Sequence, residues 1–140
     1  MPLWIIYALL SAAFAALVAI FGKIGIQNID STLATSIRAV VMAGFLVIVS
    51  LLLGKFQLLN TIHSKALVFI ILSGLAGAMS WLFYFFALKH GPVTGVAALD
   101  RLSVVFVLIF ALLFLGQKFT WVSAIGAALI TAGAILMTLK

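Results

Sequence analysis

The sequence predicts an all-α membrane protein with five transmembrane helices. Of its 140 residues, 67% are apolar and only 7% are charged, and the mean hydropathy is +1.45. Soluble domains contain about one-quarter charged residues, so this chain has too few polar side chains to cover a soluble globule. Its apolar residues form runs of about 20, which is the length that an α-helix needs to cross a bilayer. One small membrane domain is therefore expected.

The composition also excludes several classes of function. The net charge is +6, but the lysines and arginines stand singly between apolar runs, as interfacial anchors do, and form no cluster that would bind nucleic acid. Cysteine is absent, which excludes disulfides and thiolate chemistry. The two carboxylates, Asp30 and Asp100, are far apart in the sequence, and His63 and His90 fall in predicted loops. We therefore expect no enzymatic activity, no metal site and no cofactor.

The first two predicted helices enclose a short polar connection. The uncharged run of residues 3–21 is about 28 Å long as a helix. A secretory signal peptide begins with a positively charged region, whereas no lysine or arginine precedes this run. We interpret this run as a retained helix. The second helix covers residues 31–53, with Asp30 or Ser31 as its N-cap and Arg38 inside it. A longer loop follows it.

Three further helices complete the predicted bundle. The third covers residues 66–88 and is followed by Gly91, which offers a helix stop, and Pro92, which suits the first turn of another helix. The fourth covers residues 93–115, and a three-residue turn leads to the fifth, residues 119–139. An odd number of helices places the two chain ends on opposite sides of the membrane.

The loop lysines are balanced between the two sides. The side on which the chain begins has Lys55, Lys65 and Lys118, and the other side has Lys23, Lys89 and Lys140. Membrane proteins normally orient by an asymmetry of such cations. The balance has two interpretations: the chain inserts both ways round and forms an antiparallel homodimer, or an early signal or a partner sets one orientation. The expected location is the cell (inner) membrane.

Three charged side chains fall within the predicted spans. Asp100 lies about 12 Å along the fourth helix, and Arg38 lies about 10 Å along the second helix from the same side. Asp100 and the adjacent Arg101 point about 100° apart, so they do not pair with each other. We therefore predict a structural ion pair between Arg38 and Asp100, which leaves Arg101 to face a cavity, a carbonyl cage or the interface. In a cavity, Arg101 would attract an anionic solute. The alternative is that the three charged side chains only hold the helices together and do not contact a solute.

The third helix adds two aromatic side chains that share one face. Trp81 and Tyr84 are three residues apart, which brings their rings together on a helix. They line a pocket for an organic solute or belong to an aromatic belt at the interface. The residues predicted to bind solute are Arg101, Asp100, Arg38, Trp81 and Tyr84.

The end of the chain resembles the closing signature of the EamA domain of the drug/metabolite transporter superfamily. That signature is a span ending in Leu-Gly-Glu, a short turn, and two glycines seven residues apart. The matching residues are Leu115, Gly116, Gln117, Gly126 and Gly133. Lys23 after the first helix and Arg38 in the second are also common in the family. Two departures are Gln117, which replaces the glutamate, and Val104, which stands where many members have a proline that breaks helix four.

The resemblance implies both an assembly and a function. Most members of the superfamily have ten helices in two inverted halves, and this chain looks like one half. The resemblance therefore implies an antiparallel homodimer in the lipid bilayer that moves a small organic metabolite by alternating access around a midplane site. The alternative is a non-transporting accessory subunit or packing module.

Overall fold

The computed structural model describes residues 2–118 and 120–139, and every regular element in these two ranges is helical. The helices are α1 (Leu3–Gly25), α2 (Ser31–Leu52), α3 (Ser64–His90), α4 (Val93–Asp100), α5 (Ser103–Phe114) and α6 (Trp121–Leu136). A short 3₁₀ helix, Lys55–Thr61, occupies the predicted long loop. Phe119, with which the predicted fifth helix begins, and Lys140, one of the balanced cations, lie outside the described residues.

Within the described residues, four segments are long and apolar enough to cross a membrane. They are α1, α2, α3 and the segment Val93–Phe114, which contains α4 and α5. Helix α6 is apolar but has 16 residues, or about 24 Å, which is less than the hydrocarbon thickness of about 30 Å. The first four predicted spans are therefore present in the structure, whereas a fifth span remains a prediction.

Asp30 is the N-cap of α2. Its Oδ1 accepts hydrogen bonds from the backbone N–H groups of Thr32 at 2.9 Å and Leu33 at 3.0 Å, so the structure selects Asp30 from the two predicted caps. The Leu33 N–H, which donates to the ionised carboxylate, is the main cause that lowers the pKa of Asp30 from its ordinary value of 3.8.

The predicted fourth helix is divided by a tight turn. The N–H of Arg101 donates to the Ala98 carbonyl at 3.1 Å, and the N–H of Leu102 donates to the Leu99 carbonyl at 2.9 Å. These bonds span three residues instead of the four of an α-helix, so the backbone narrows to a 3₁₀-type turn between α4 and α5. The structure thus differs from the predicted continuous helix, and it does so at the charged Asp-Arg pair.

The described residues form two compact units. The first contains the residues up to 20 together with those from 90 onward, and within it α4 and α5 both pack against α6. Gly95 is buried in this unit: a Cβ atom at this position would lie 3.6 Å from Thr138 Cγ2 and 3.8 Å from the Met137 carbonyl oxygen. The missing side chain lets α4 approach the chain after α6 closely.

The second unit, residues 21–89, has its tightest packing where α1 ends, α2 begins and α3 ends. Ile26, Phe85 and Leu88 are buried there. A Cβ atom on Gly22 would lie 3.2 Å from Phe85 Cζ and 3.5 Å from Leu88 Cδ1, so glycine permits the end of α1 to contact α3. The Ser31 hydroxyl is also buried, with no hydrogen-bond partner among the described residues.

Candidate functional site

Arg38 of α2 is stacked on an aromatic side chain of α3. Its guanidinium carbon lies 3.5 Å from the centroid of the Trp81 ring and 5.4 Å from that of Phe85. Such a cation–π contact contributes about 0.5–2 kcal/mol and fixes the plane of the guanidinium. Because the N–H donors lie in that plane, stacking covers a face of the group and leaves its hydrogen-bonding edge for another partner.

The aromatic ring under Arg38 belongs to a cluster of three. Trp81 and Tyr84 meet edge to face with centroids 5.5 Å apart, and Phe85 lies 6.1 Å from Trp81 and 6.3 Å from Tyr84. The shared face predicted for Trp81 and Tyr84 is therefore confirmed. Phe85 was not among the predicted site residues, although its spacing of four residues from Trp81 is the signal that would have identified it.

A cavity of about 620 Å³ lies between α2 and α3 in the second unit. Small residues on both helices create the space: Ala39 and Ala43 on α2, and Gly74, Gly77 and Ala78 on α3. Arg38 and Trp81 line it as well. The volume falls within the range of about 300–1,000 Å³ that is typical of sites for small organic ligands.

The polar side chains of the cavity come from the first two turns of α2. Thr35 Oγ1 donates to the Ser31 carbonyl at 2.7 Å, and Ser36 Oγ donates to the Thr32 carbonyl at 2.9 Å. Each hydroxyl proton is thus used within the helix, and the hydroxyl oxygens keep lone pairs that can accept hydrogen bonds. The cavity therefore offers a cation and hydroxyl acceptors at the start of α2, and an apolar wall further along.

The predicted site residues divide between the two units. Arg38, Trp81 and Tyr84 belong to the second unit, where the structure places Arg38 on Trp81 and Trp81 against Tyr84. Asp100 and Arg101 belong to the first unit, where both are exposed at the turn between α4 and α5. The ion pair between Arg38 and Asp100 remains a prediction. Within the described ranges, no group of three or more His, Asp or Glu residues is placed to hold a metal ion.

Comparison with known proteins identifies the family of the chain. Residues 2–139 match the EamA-like transporter family. A Sinorhizobium protein named "Uncharacterized transporter in cobO 3'region" is 47% identical over 134 residues, which cover 96% of this chain and 95% of that protein. No solved structure matches the chain. Since the family match extends over nearly the whole chain, this multi-pass integral membrane protein belongs to the EamA-like transporter family.

Proposed function

We propose that the protein is a secondary transporter for a small organic anion and that the cavity between α2 and α3 forms part of its solute site. The main support for this proposal is the position of the Arg38 guanidinium, which lies 3.5 Å from the centroid of the Trp81 ring in a cavity between two apolar helices. A charged side chain within a membrane span costs at least about 2.5 kcal/mol. A role in binding explains why this cation faces a cavity with room for a ligand.

The lining of the cavity favours a particular solute chemistry. A carboxylate fits the guanidinium edge, which presents several N–H donors in one plane. The apolar body of the same molecule fits the Trp81 face and the wall that includes Met42 and Leu46. The hydroxyl oxygens of Thr35 and Ser36 can accept a hydrogen bond from the solute. Together these features favour an organic anion with one acidic group and an apolar or aromatic body.

Asp100 and Arg101 have proposed roles in the same transport cycle. In the ion-pair hypothesis, Asp100 neutralises Arg38 when no solute is bound, and a solute carboxylate replaces it. Such an exchange keeps the arginine charge compensated in both states, which limits the electrostatic cost of an empty site. Arg101 then supplies a second cation for the anionic solute.

Two copies of the chain are proposed to work as an antiparallel dimer in the cell membrane. The balance of the loop lysines and the match of residues 2–139 to one EamA domain support this assembly. Two opposed copies would supply the inverted repeat around which alternating access operates. The test uses Leu139→Cys in this cysteine-free chain, labelled from outside intact cells. Labelling of about half of the molecules is expected for equal insertion in both orientations; labelling of all or none contradicts the antiparallel dimer.

Transport is tested with purified protein in liposomes. The panel contains aliphatic and aromatic carboxylates, amines and zwitterions, and we expect counterflow of at least one carboxylate. Arg38→Gln is expected to reduce that flux by about tenfold or more, because a charge-assisted hydrogen bond is lost, while Arg38→Lys keeps part of it. Lys55→Gln is the matched control, since it removes one exposed positive charge outside the cavity.

The result also separates the two functional hypotheses. Equal flux in the wild type, Arg38→Gln and Lys55→Gln would show transport that does not use Arg38, and would overturn the proposed site. Folded, correctly inserted protein that moves no member of the panel would instead support the accessory-subunit alternative. Size-exclusion profiles and thermal unfolding in detergent confirm that each variant is folded.

A further inference from the structure

A second cavity of different character lies at the connection between α1 and α2. It has a volume of about 190 Å³ and is lined by Lys23, Ile26, Gln27 and Lys89. Two ammonium groups and one amide thus meet at a small site that the proposed transport mechanism does not use. We infer that this cavity binds a phosphate group, and that its source is the headgroup of an anionic phospholipid.

The two lysines are held in place by crossed hydrogen bonds. Lys23, at the end of α1, donates to the carbonyl of Leu88 in α3. Lys89, at the end of α3, donates at 3.1 Å to the carbonyl of Ile29 in the connection between α1 and α2. Lys23 of α1 thus reaches α3, and Lys89 of α3 reaches the connection that follows α1. This crossing restricts both side chains, so an anion that binds between them loses less side-chain entropy than it would at two freely moving lysines.

One residue that lines the cavity, Ile26, belongs to the most tightly packed part of its unit. Ile26, which lines the cavity, is 1% exposed, and Leu88 and Phe85 are 0% and 2% exposed. Buried apolar contacts of this kind open only with a large part of the fold, which makes the position of the surrounding backbone stable. The cavity is therefore preformed, unlike a pair of lysines on a mobile loop.

The charges around the cavity favour an anion. Lys23 and Lys89 repel each other, and a negative group between them replaces that repulsion with two attractions. Asp30 also attracts Lys89, but its carboxylate accepts hydrogen bonds from the backbone N–H groups of Thr32 and Leu33. A phosphodiester has one negative charge and oxygen acceptors for both ammonium groups and the Gln27 amide. The volume of about 190 Å³ is enough for one phosphate group.

The position of the cavity along the helices favours a lipid as the source. Helix α1 has 23 residues, or about 34 Å, and slightly exceeds the hydrocarbon core of about 30 Å. Its last turn and the following connection therefore reach the depth of the lipid headgroups. Ile24 and Ile29, which flank the cavity residues in the sequence, are 62% and 42% exposed and can contact the acyl chains. Basic pockets at the ends of membrane helices recognise phospholipid headgroups in this way.

The test measures binding of short-chain lipids to delipidated protein in an uncharged detergent. Dihexanoyl phosphatidylglycerol, dihexanoyl phosphatidylcholine and inorganic phosphate are titrated separately, and binding is followed by thermal unfolding and by native mass spectrometry. We expect phosphatidylglycerol to bind more tightly than the other two. Lys89→Gln should weaken its binding by about tenfold, because one charge-assisted contact is lost, and Lys89→Arg should restore most of it. Lys65→Gln, at the start of α3, is the matched control.

Each outcome decides the proposal. Equal affinity of the wild type, Lys89→Gln and Lys65→Gln for phosphatidylglycerol would overturn the site. Equal loss in both variants would show a general charge effect and would overturn it as well. A third outcome is that inorganic phosphate binds as tightly as phosphatidylglycerol and binds more weakly to Lys89→Gln. This outcome would support a phosphate site but overturn its lipid source. If Lys23→Gln does not fold, because Lys23 also contacts the α3 backbone, Lys89→Gln and Gln27→Leu provide the test.

Discussion

Two regions of the molecule accommodate charge within an apolar span, and they do so differently. In the second unit, Arg38 is half-buried in an uninterrupted helix and rests on the Trp81 ring of α3. In the first unit, Asp100 and Arg101 are exposed at the point where α4 gives way to α5. In the first case a side chain of a neighbouring helix stabilises the charge, whereas in the second the backbone itself departs from the regular α-helix.

This difference predicts different tolerances of the backbone. Every residue of the central part of α2 takes part in the regular hydrogen-bonding of one 22-residue helix. At the α4–α5 junction the bonds already span three residues, and short stretches of this kind within a helix often mark hinges. We therefore expect α2 to act as a rigid support for Arg38, and the junction to be the place where the fourth span can bend.

The largest expected effect on stability comes from replacing one valine by proline in each region, Val41 in α2 and Val104 beside the junction. Val41→Pro, in the middle of α2, removes a backbone hydrogen bond and clashes with the preceding turn, which should cost about 3 kcal/mol or more of unfolding free energy. Val104→Pro falls just after the junction, where the Val104 N–H donates to the Arg101 carbonyl at 3.1 Å, and should cost only about 1 kcal/mol. Denaturant unfolding in detergent, followed by tryptophan fluorescence, measures both.

Equal losses of unfolding free energy in Val41→Pro and Val104→Pro would contradict the proposed difference between α2 and the α4–α5 junction. If Val104→Pro destabilised the protein as much as Val41→Pro, the junction would behave as an ordinary helix interior. Val104→Ala and Val41→Ala are the controls, because they shorten the same side chains without removing an N–H. Both valines are exposed, with 45% and 66% of their surface accessible for Val104 and Val41, so both alanine variants should have small effects.

The two regions also differ in how far the sequence predicted them. The spacing of Trp81 and Tyr84 was sufficient to predict their contact, because helical geometry alone fixes it. The stacking of Arg38 on Trp81 depends on how α2 and α3 are rotated against each other. Sequence spacing contains no such information, so the prediction paired Arg38 with Asp100 from depth alone. For the same reason, sequence spacing could not place the pocket predicted at Trp81 between α2 and α3.

The junction at Asp100 could not be predicted from local signals. Proline and glycine are the residues that normally mark a break in a helix, and the segment from Ala97 to Val105 contains neither. Val104 also stands where many family members have a proline that breaks helix four, so the family pattern gave no signal for a break here. The N-cap of α2, by contrast, was predicted to within one residue, because a carboxylate before a helix satisfies backbone N–H groups that have no other partner.

The N-terminal ends of α2 and α4 also differ, and this difference should have a smaller effect on stability. Asp30 caps α2 with its side chain, whereas α4 begins after Pro92, which provides no side-chain cap. The pKa of Asp30 is lowered in the folded state, first by the hydrogen bond from the Leu33 N–H. A carboxyl with a lowered pKa contributes its stabilisation fully above its unfolded pKa, ordinarily 3.8, and loses it as the pH falls through the folded pKa. The cap should therefore weaken only in acid.

Asp30→Asn isolates this titration from the capping geometry. Asparagine also caps helices well but does not ionise, so the variant should lose the part of the acid dependence that comes from Asp30 and keep most of the stability at neutral pH. Thermal unfolding of the wild type and the variant between pH 3 and 7 measures the difference. The two melting temperatures should converge as the pH falls, because protonated Asp30 no longer accepts the Leu33 and Thr32 hydrogen bonds as a carboxylate. A constant difference across this range would mean that the charge of Asp30 does not contribute to the start of α2, which would then resemble the start of α4.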